Sequence, residues 1–365
     1  MTTKSVDTPF LLTTCALVLF GLLIFSSAAL GLLARDGASF TSVAVSQLLL
    51  GLLLGGILLT ALSRIDYRCL RPYTPYFFAL AVGLTALTFI PGVGVEIKGA
   101  SRWLKLGPVT FQPEEALKFA AVALLAGVYA SNIKRVSSLR GGIAPLGAIG
   151  GSAALLLLLQ PSTDGAVMVG LACAAMLFAA GGRIRHLLFL ALVGALLLTG
   201  AVYQSSYLKA RLHTFFNQSQ DPQGAGWHIQ QSLIAVGSGE FFGKGFGQSI
   251  EKFSYLPEPI GDSIFAVAAE EFGFVGSIAL VLLYAGVALL GLRIAARAPD
   301  PFGGLLTVGL VMLIIGQSFM NIASTLGLIP ISGLPLIFVS HGGTALMIAL
   351  AEVGVILSVS RRMKI

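Results

Sequence analysis

Charge is what this sequence has least of. Only 11% of its 365 residues are Asp, Glu, Lys or Arg, against about 25% in an ordinary soluble domain. Cysteine and histidine are also scarce, at three and four residues. No Cys/His spacing of a zinc site is present, nor an H-E-x-x-H or G-x-S-x-G motif, so zinc-protease and α/β-hydrolase chemistry have no residues to work with. Cys15, Cys69 and Cys173 fall in or beside apolar runs, show no paired spacing and leave one thiol over, so they read as packing residues rather than disulfides.

Apolar sequence is what abounds. The chain is 56% hydrophobic with a mean hydropathy of +0.90. Runs of about 20 apolar residues can cross a ~30 Å hydrocarbon core as helices. Ten such runs occur, near 10–33, 43–63, 74–91, 114–131, 142–160, 164–182, 186–204, 263–292, 303–326 and 340–360. Continuous stretches such as "AALLLLL", from Ala153 to Leu159, lack the short alternating segments of a membrane β-barrel. The expected fold is an all-α integral membrane protein of about ten transmembrane helices, a single polytopic domain over 1–365. The first run has no small-residue cleavage site after it, so it reads as helix 1 and not as a signal peptide.

Orientation follows from Lys and Arg in the short loops. With both termini cytoplasmic, the inner segments hold fourteen of the 23 basic residues, among them Arg64, Arg68, Arg71, Lys134, Arg135 and Arg140. The net charge of +7 is thus mostly a topology signal, and no nucleic-acid partner is implied. The inner loops are short connectors. The outer segments 91–113 and 205–262 are long and mix charge with aromatics and glycine, and long ordered loops are usually functional. The second is the large extracytoplasmic loop between helices 7 and 8.

In "GASRWLKLGPVTFQPEEALKFA", residues 99–120, Trp103 and its apolar neighbours interleave with Arg102 and Lys105. Such a stretch suits a lipid headgroup surface. Pro113 fits the first turn of helix 4, Glu114 and Glu115 suit its positive end, and Lys118 lies on the same face as Glu115. Residue types leave a local ion pair and a phosphate-binding role equally open here. In the second outer loop "WHIQQSLIAV" is amphipathic and reads as a short helix, and glycines 237, 239, 243, 245 and 247 crowd the chain before Lys252. Gly-rich backbone can approach phosphate, but GKGFG has no strand-to-helix context of a P-loop.

Glu258, Asp262, Glu270 and Glu271 lie within nineteen residues, "YLPEPIGDSIFAVAAEEFG", of a chain that has sixteen acidic residues. Asp262 suits an N-cap, worth about 1 kcal/mol. Glu270 and Glu271 fall inside a predicted span, where carboxylates need a partner or a polar cavity. At ~100° per residue Glu270 projects about 80° from Asp262 and Glu271 about 180°. Glu270 is therefore expected to support an Asp262 cavity, and Glu271 to meet a cation on another helix or to carry a proton. These residue types fit base chemistry on a lipid-linked anion, or a proton-coupled transporter.

The stretch 99–120, together with "DPQGAGWHIQQSLIAVGSGEFFGKGFGQS", "EKFSYLPEPIGDSIFAVAAEEFGFVGS" and "GLIPISGLPLIFVSHGGTALM", resembles in order the signatures of the SEDS (shape, elongation, division and sporulation) family of FtsW, RodA and SpoVE. The "LGP" after Arg102-Trp103 leans toward FtsW. The resemblance implies a peptidoglycan glycosyltransferase of the bacterial cytoplasmic membrane that polymerises lipid II on its outer face, in cell division or shape, beside a class B penicillin-binding protein. It places the catalytic carboxylate at Asp262, a general base on the acceptor GlcNAc 4-hydroxyl in an inverting transfer that releases undecaprenyl diphosphate. Such a leaving group needs positive charge. Arg102, Lys118 and Lys252 are expected to bind pyrophosphate or anchor the loop, with Arg211 fourth, and Glu115, Glu258, Glu270 and His228 as supports. A divalent cation, magnesium or manganese, is an expected aid, and no organic cofactor is implied. Asp164 comes two residues later than the family's aspartate after Gln-Pro, Glu114 replaces a common Ser, and His341 replaces the usual Tyr before Gly-Gly; no family role is transferred to Asp164. A lipid II flippase and a non-catalytic division scaffold are the alternatives.

Overall fold

The computed structural model describes residues 5–35, 37–97, 100–106, 109–217 and 225–363. Lys4, Lys98, Asp221, Pro222 and Lys364 lie outside the described residues. All ten apolar runs are helical. The first is α1 (Thr8–Arg35). The second is assembled from α2 (Gly37–Val45), a π-helical stretch Ser46–Leu54 and α3 (Gly55–Arg64). There follow α4 (Thr74–Leu87), α5 (Pro113–Ser131), α6 (Ala144–Leu159), α7 (Thr163–Ala179) and α8 (Ile184–Gln204). The large loop contributes α9 (Ser206–Phe216), α10 (Ala225–Ser238) and α11 (Glu251–Ser254). The last three runs are α12 (Ile264–Ala296), α13 (Pro301–Thr325) and α14 (Gly343–Ser360). Among the described residues seven helical segments are long and apolar enough to cross a membrane; α4, α5 and α7 are the shorter or more charged ones.

The packing has a clear inside. α14 is buried at every residue except Ile348, and packs on α3, α13, α12 and α5. Gly354 lets α14 meet α3 closely: a Cβ there would stand 2.7 Å from the Leu59 carbonyl oxygen. α8 is the opposite case, with His186 its only buried residue, while Leu188, Leu192 and Leu196 stay exposed. An apolar helix so little covered by protein faces lipid. Of the cysteines, Cys173 packs in the core but Cys15 and Cys69 are exposed, correcting the expectation that all three are packing residues.

The first and last described segments meet at one end of the bundle, here the terminal end, where the Asp7 N–H donates to Ser360 Oγ at 3.1 Å. At this terminal end Asp300 caps α13 through the Gly303 N–H (2.9 Å) and accepts Arg68 Nε (2.9 Å) and the Tyr67 hydroxyl. Burial pushes the Asp300 carboxyl up, but the bonds from Tyr67, Gly303 and Arg68 together outweigh it and hold it below the ordinary carboxylate range.

At the other end, 91–113 is not an irregular headgroup loop. β1 (Gly94–Ile97), β2 (Ala100–Leu106) and β3 (Val109–Phe111) form an antiparallel sheet in the order β1-β2-β3. Leu104 pairs with Gly94 on one side and Phe111 on the other. Successive strand residues alternate faces, so Arg102 shares a face with buried Leu104.

The glycine run answers a break in α12. Gly273, at φ 64° and ψ −162°, interrupts that helix and leaves backbone groups on both sides without helical partners. The loop supplies them. Lys244 and Gly245 N–H donate to the Glu270 and Glu271 carbonyls (3.0 Å each), and Phe274 and Val275 N–H donate to those of Glu240 and Phe241 (2.9 and 3.1 Å). A Cβ on Gly243 would lie 2.1 Å from the Glu271 carbonyl oxygen. Close backbone approach is thus what the glycines provide, toward a helix rather than a phosphate.

Candidate functional site

Asp262 sits on a turn held from several sides. Glu258 adopts a left-handed conformation (φ 47°), and its carbonyl accepts the N–H groups of Gly261 (3.0 Å) and Ser263 (3.3 Å). Three successive carbonyls of this turn are then gripped from elsewhere. The His341 N–H reaches that of Ile260 (2.7 Å), and Ser340 Oγ that of Gly261 (2.8 Å). Asn321 Nδ2 and Thr325 Oγ1 both donate to that of Asp262 at 3.1 Å. Buried backbone acceptors must be paired, and pairing them to α13 and to the segment before α14 fixes the turn in place.

The N-cap of α12 is Ser263, not Asp262. The Ser263 hydroxyl makes no capping bond and bonds the His228 ring instead. Because Asp262 precedes the helix, the angular separation expected from helical geometry does not apply to it. Its half-buried side chain lines a small cleft with His228, Ser232, Ser324, Thr325 and Ser332. A carboxylate among hydroxyls and an imidazole can accept a proton from a polyhydroxylated ligand.

A second constellation adjoins the first. Asp164 Oδ2 accepts Arg211 Nη2 (3.0 Å) and the Gly333 N–H (3.1 Å), and Gly333 follows the cleft residue Ser332. The turn that carries Asp164 is itself anchored. Arg102 Nε donates to the carbonyl of Gln160 (3.1 Å), the C-cap of α6, and its Nη2 to that of Pro161. Both oxygens of buried Glu114 lie 2.9 Å from Ser162 Oγ. Arg102 therefore serves the α6–α7 turn rather than a headgroup surface, and Arg211 is the predicted cation beside the cleft.

The other predicted residues lie elsewhere. Lys118 and Glu115, both buried on α5, pair at 2.9 Å, and Lys118 Nζ also meets Gln317 Oε1 (2.6 Å) in an interior cavity shared with Glu352. Lys252 is fully buried and bonds Glu271 Oε1 (2.6 Å) and Ser27 Oγ (2.8 Å). Enclosed and matched to carboxylates, neither ammonium is presented to a diphosphate; of the two roles expected for Lys252, its surroundings provide loop anchoring. Glu270 does not support the Asp262 cleft, because it accepts Lys244 Nζ (2.7 Å), Ser249 Oγ (2.5 Å) and the Ile250 N–H (3.1 Å). Glu270 and Glu271 bind the outer loop to α12 and, through Ser27, to α1.

The FtsW/RodA/SpoVE family model, described as "cell cycle protein", matches residues 8–365. The chain belongs to this family. It is 38% identical to stage V sporulation protein E of Bacillus subtilis, covering 99% of both chains. It is 36% identical to a probable peptidoglycan glycosyltransferase FtsW of Trichlorobacter lovleyi, covering 98% of this chain and 94% of the relative. A solved structure, described as showing structural coordination of polymerization and crosslinking by a peptidoglycan synthase complex, matches with a TM-score of 0.79 and 28% identity over 98% of each chain. The protein is a multi-pass membrane protein of this FtsW/RodA/SpoVE family.

In this FtsW/RodA/SpoVE member, no three His, Cys, Asp or Glu come together to hold a metal among the described residues. The described side chains do not by themselves make a protein-caged ion site. Sequence reasoning missed Asn321, Thr325, Ser332 and Ser340, and transferred no role to Asp164. Polarity within an apolar run was the available signal for Asn321.

Proposed function

We propose that this chain is a peptidoglycan glycosyltransferase that polymerises lipid II in cell division or shape, with Asp262 as its general base. The observation that carries the reading is the grip on three consecutive carbonyls, 260 to 262, which fixes the turn that brings Asp262 to a cleft shared with His228, Ser232, Ser324, Thr325 and Ser332. A base works when it is within hydrogen-bond reach of the proton it takes, and a fixed turn supplies that geometry in advance.

In the reaction Asp262 takes the proton of the acceptor GlcNAc 4-hydroxyl as that oxygen attacks the anomeric carbon of the donor MurNAc. The bond to diphosphate breaks on the opposite face, undecaprenyl diphosphate departs with the electron pair, and the configuration inverts. Arg211, oriented by Asp164, stabilises the charge gathering on the leaving group. A single base suffices, whereas a retaining mechanism needs two carboxyl groups about 5 Å apart.

The excess of Lys and Arg at the terminal end supports a cytoplasmic position for that end, with the Asp262 cleft on the outer face of the bacterial cytoplasmic membrane. The partner is a class B penicillin-binding protein that crosslinks the product. The decisive experiment is lipid II polymerisation by the purified chain with its transpeptidase. Asp262→Asn should abolish glycan product while leaving the complex intact; normal polymerisation by that variant overturns the mechanism. Lipid II transport in proteoliposomes without any glycan product would favour the flippase instead.

A further inference from the structure

At the terminal end, opposite the Asp262 cleft, a groove of about 400 Å³ opens between the start of α4 and the last turns of α5. Its walls are Pro72, Pro75, Leu124 and Val128, with Thr74 and Ser131 as polar points. Arg71 stands at its mouth. One guanidinium nitrogen donates to Ser131 Oγ (2.9 Å), and the group lies 5.9 Å from the centre of the Phe302 ring. The arginine is thereby oriented but not neutralised, because it meets no carboxylate among the described residues.

The nearby acids are already engaged. Asp66 binds Arg362 (3.0 Å), and Asp300 binds Arg68 and Tyr67. Lys134 and Arg135, on the turn that follows α5, are exposed and add positive charge without a carboxylate partner among the described residues. Tyr73, Tyr76 and Phe77 lie exposed along the start of α4. Aromatic rings of this kind mark the level of the lipid headgroups. An unneutralised arginine at that level, over a groove with apolar walls, matches one ligand chemistry: a phosphate attached to an acyl chain.

We infer that this groove is a binding site for an anionic glycerophospholipid of the leaflet at the terminal end. Its phosphodiester meets Arg71, and one acyl chain lies against Leu124 and Val128. A guanidinium holds phosphate through several planar N–H groups at once, and the bond to Ser131 presets its orientation. The site lies at the far end of the bundle from the Asp262 cleft, so it belongs to the membrane and not to the reaction.

The test uses the full chain in detergent, exchanged against phosphatidylglycerol or phosphatidylcholine and read by native mass spectrometry and thermal unfolding. One phosphatidylglycerol should be retained per chain and raise the unfolding midpoint, and phosphatidylcholine should do neither. Arg71→Gln should weaken retention about tenfold, the loss of a hydrogen-bonded charge. Val128→Trp, which fills the groove and leaves the arginine, should do the same; both variants should unfold like the parent in phosphatidylcholine. Equal retention by the parent and both variants, equal retention of the two lipids, or displacement of phosphatidylglycerol by equimolar undecaprenyl phosphate would overturn the assignment.

Discussion

Asn321 on α13 donates through one side-chain nitrogen to two carbonyls, that of Asp262 at 3.1 Å and that of Leu334 at 2.9 Å. It thereby joins the turn that carries the proposed base to the loop that brings Ile331 and Ser332 to the cleft. Removing it takes this donor from the Leu334 carbonyl and leaves the Asp262 carbonyl held by Thr325. Asn321→Ala should lower the polymerisation kcat about tenfold while KM stays within about twofold, the pattern of lost positioning. Thr325→Val removes the other donor to the Asp262 carbonyl, so the double variant, which strips that acceptor of both, should lose more than the sum of the single losses. Steady-state lipid II kinetics on the four variants of the cycle check this.

Asp164 and Arg211 should behave as one unit. Arg211→Ala removes the cation beside the cleft, whereas Asp164→Asn keeps the cation but loosens its aim and the Gly333 loop. Each alone should reduce turnover by about tenfold or more, and the double variant should be little worse than Arg211→Ala. Full additivity would show that Asp164 acts independently of Arg211.

The buried Lys252–Glu271 pair makes a different prediction, one about stability. Breaking a buried pair from one side typically costs about 3–5 kcal/mol because the other charge stays behind. Lys252→Met should therefore lower the thermal midpoint sharply, and adding Glu271→Gln should recover most of the loss. Recovery of polymerisation in the double variant would assign Lys252 to anchoring; a stable but inactive double variant would return it to the reaction.

Much of this was legible in the sequence. The ten runs were readable because lipid demands long apolar helices, and Pro113-Glu114-Glu115 announced the start of α5. The β-sheet was not read, although Arg102, Leu104 and Leu106 already alternate with Ser101, Trp103 and Lys105 in a strand period. The clamp on Asp262 was hidden for a different reason. Asn321 and Thr325 lie 59 and 63 residues from the carbonyl they hold, and a Thr in a span more commonly bonds its own helix, as Thr325 also does at Asn321. Asp164 was set aside because its offset from Gln-Pro is two residues longer than the family pattern; the turn, pinned by Arg102 and Glu114, still delivers it to Arg211.

Asp300 gives a pH prediction at the terminal end. Its carboxyl is held below its ordinary value in the folded state, so the unfolded chain takes up a proton first as pH falls. The stabilisation is complete above the unfolded value, about 3.9, and is lost as pH drops through the folded one. Unfolding midpoints from pH 7 to pH 3 should fall less steeply for Asp300→Asn than for the parent, with the gap between them closing at the acid end.

The break at Gly273 has a consequence for membranes of different thickness. Residues 274–296 alone make a rod of about 34 Å, enough for a ~30 Å hydrocarbon core, and a rod of fixed length answers a thinner or thicker bilayer by tilting. Because the outer loop bonds both sides of the break, the Glu270 and Glu271 carbonyls before it and the Phe274 and Val275 N–H groups after it, loop and rod are coupled, and a tilt of the rod should carry the loop with it.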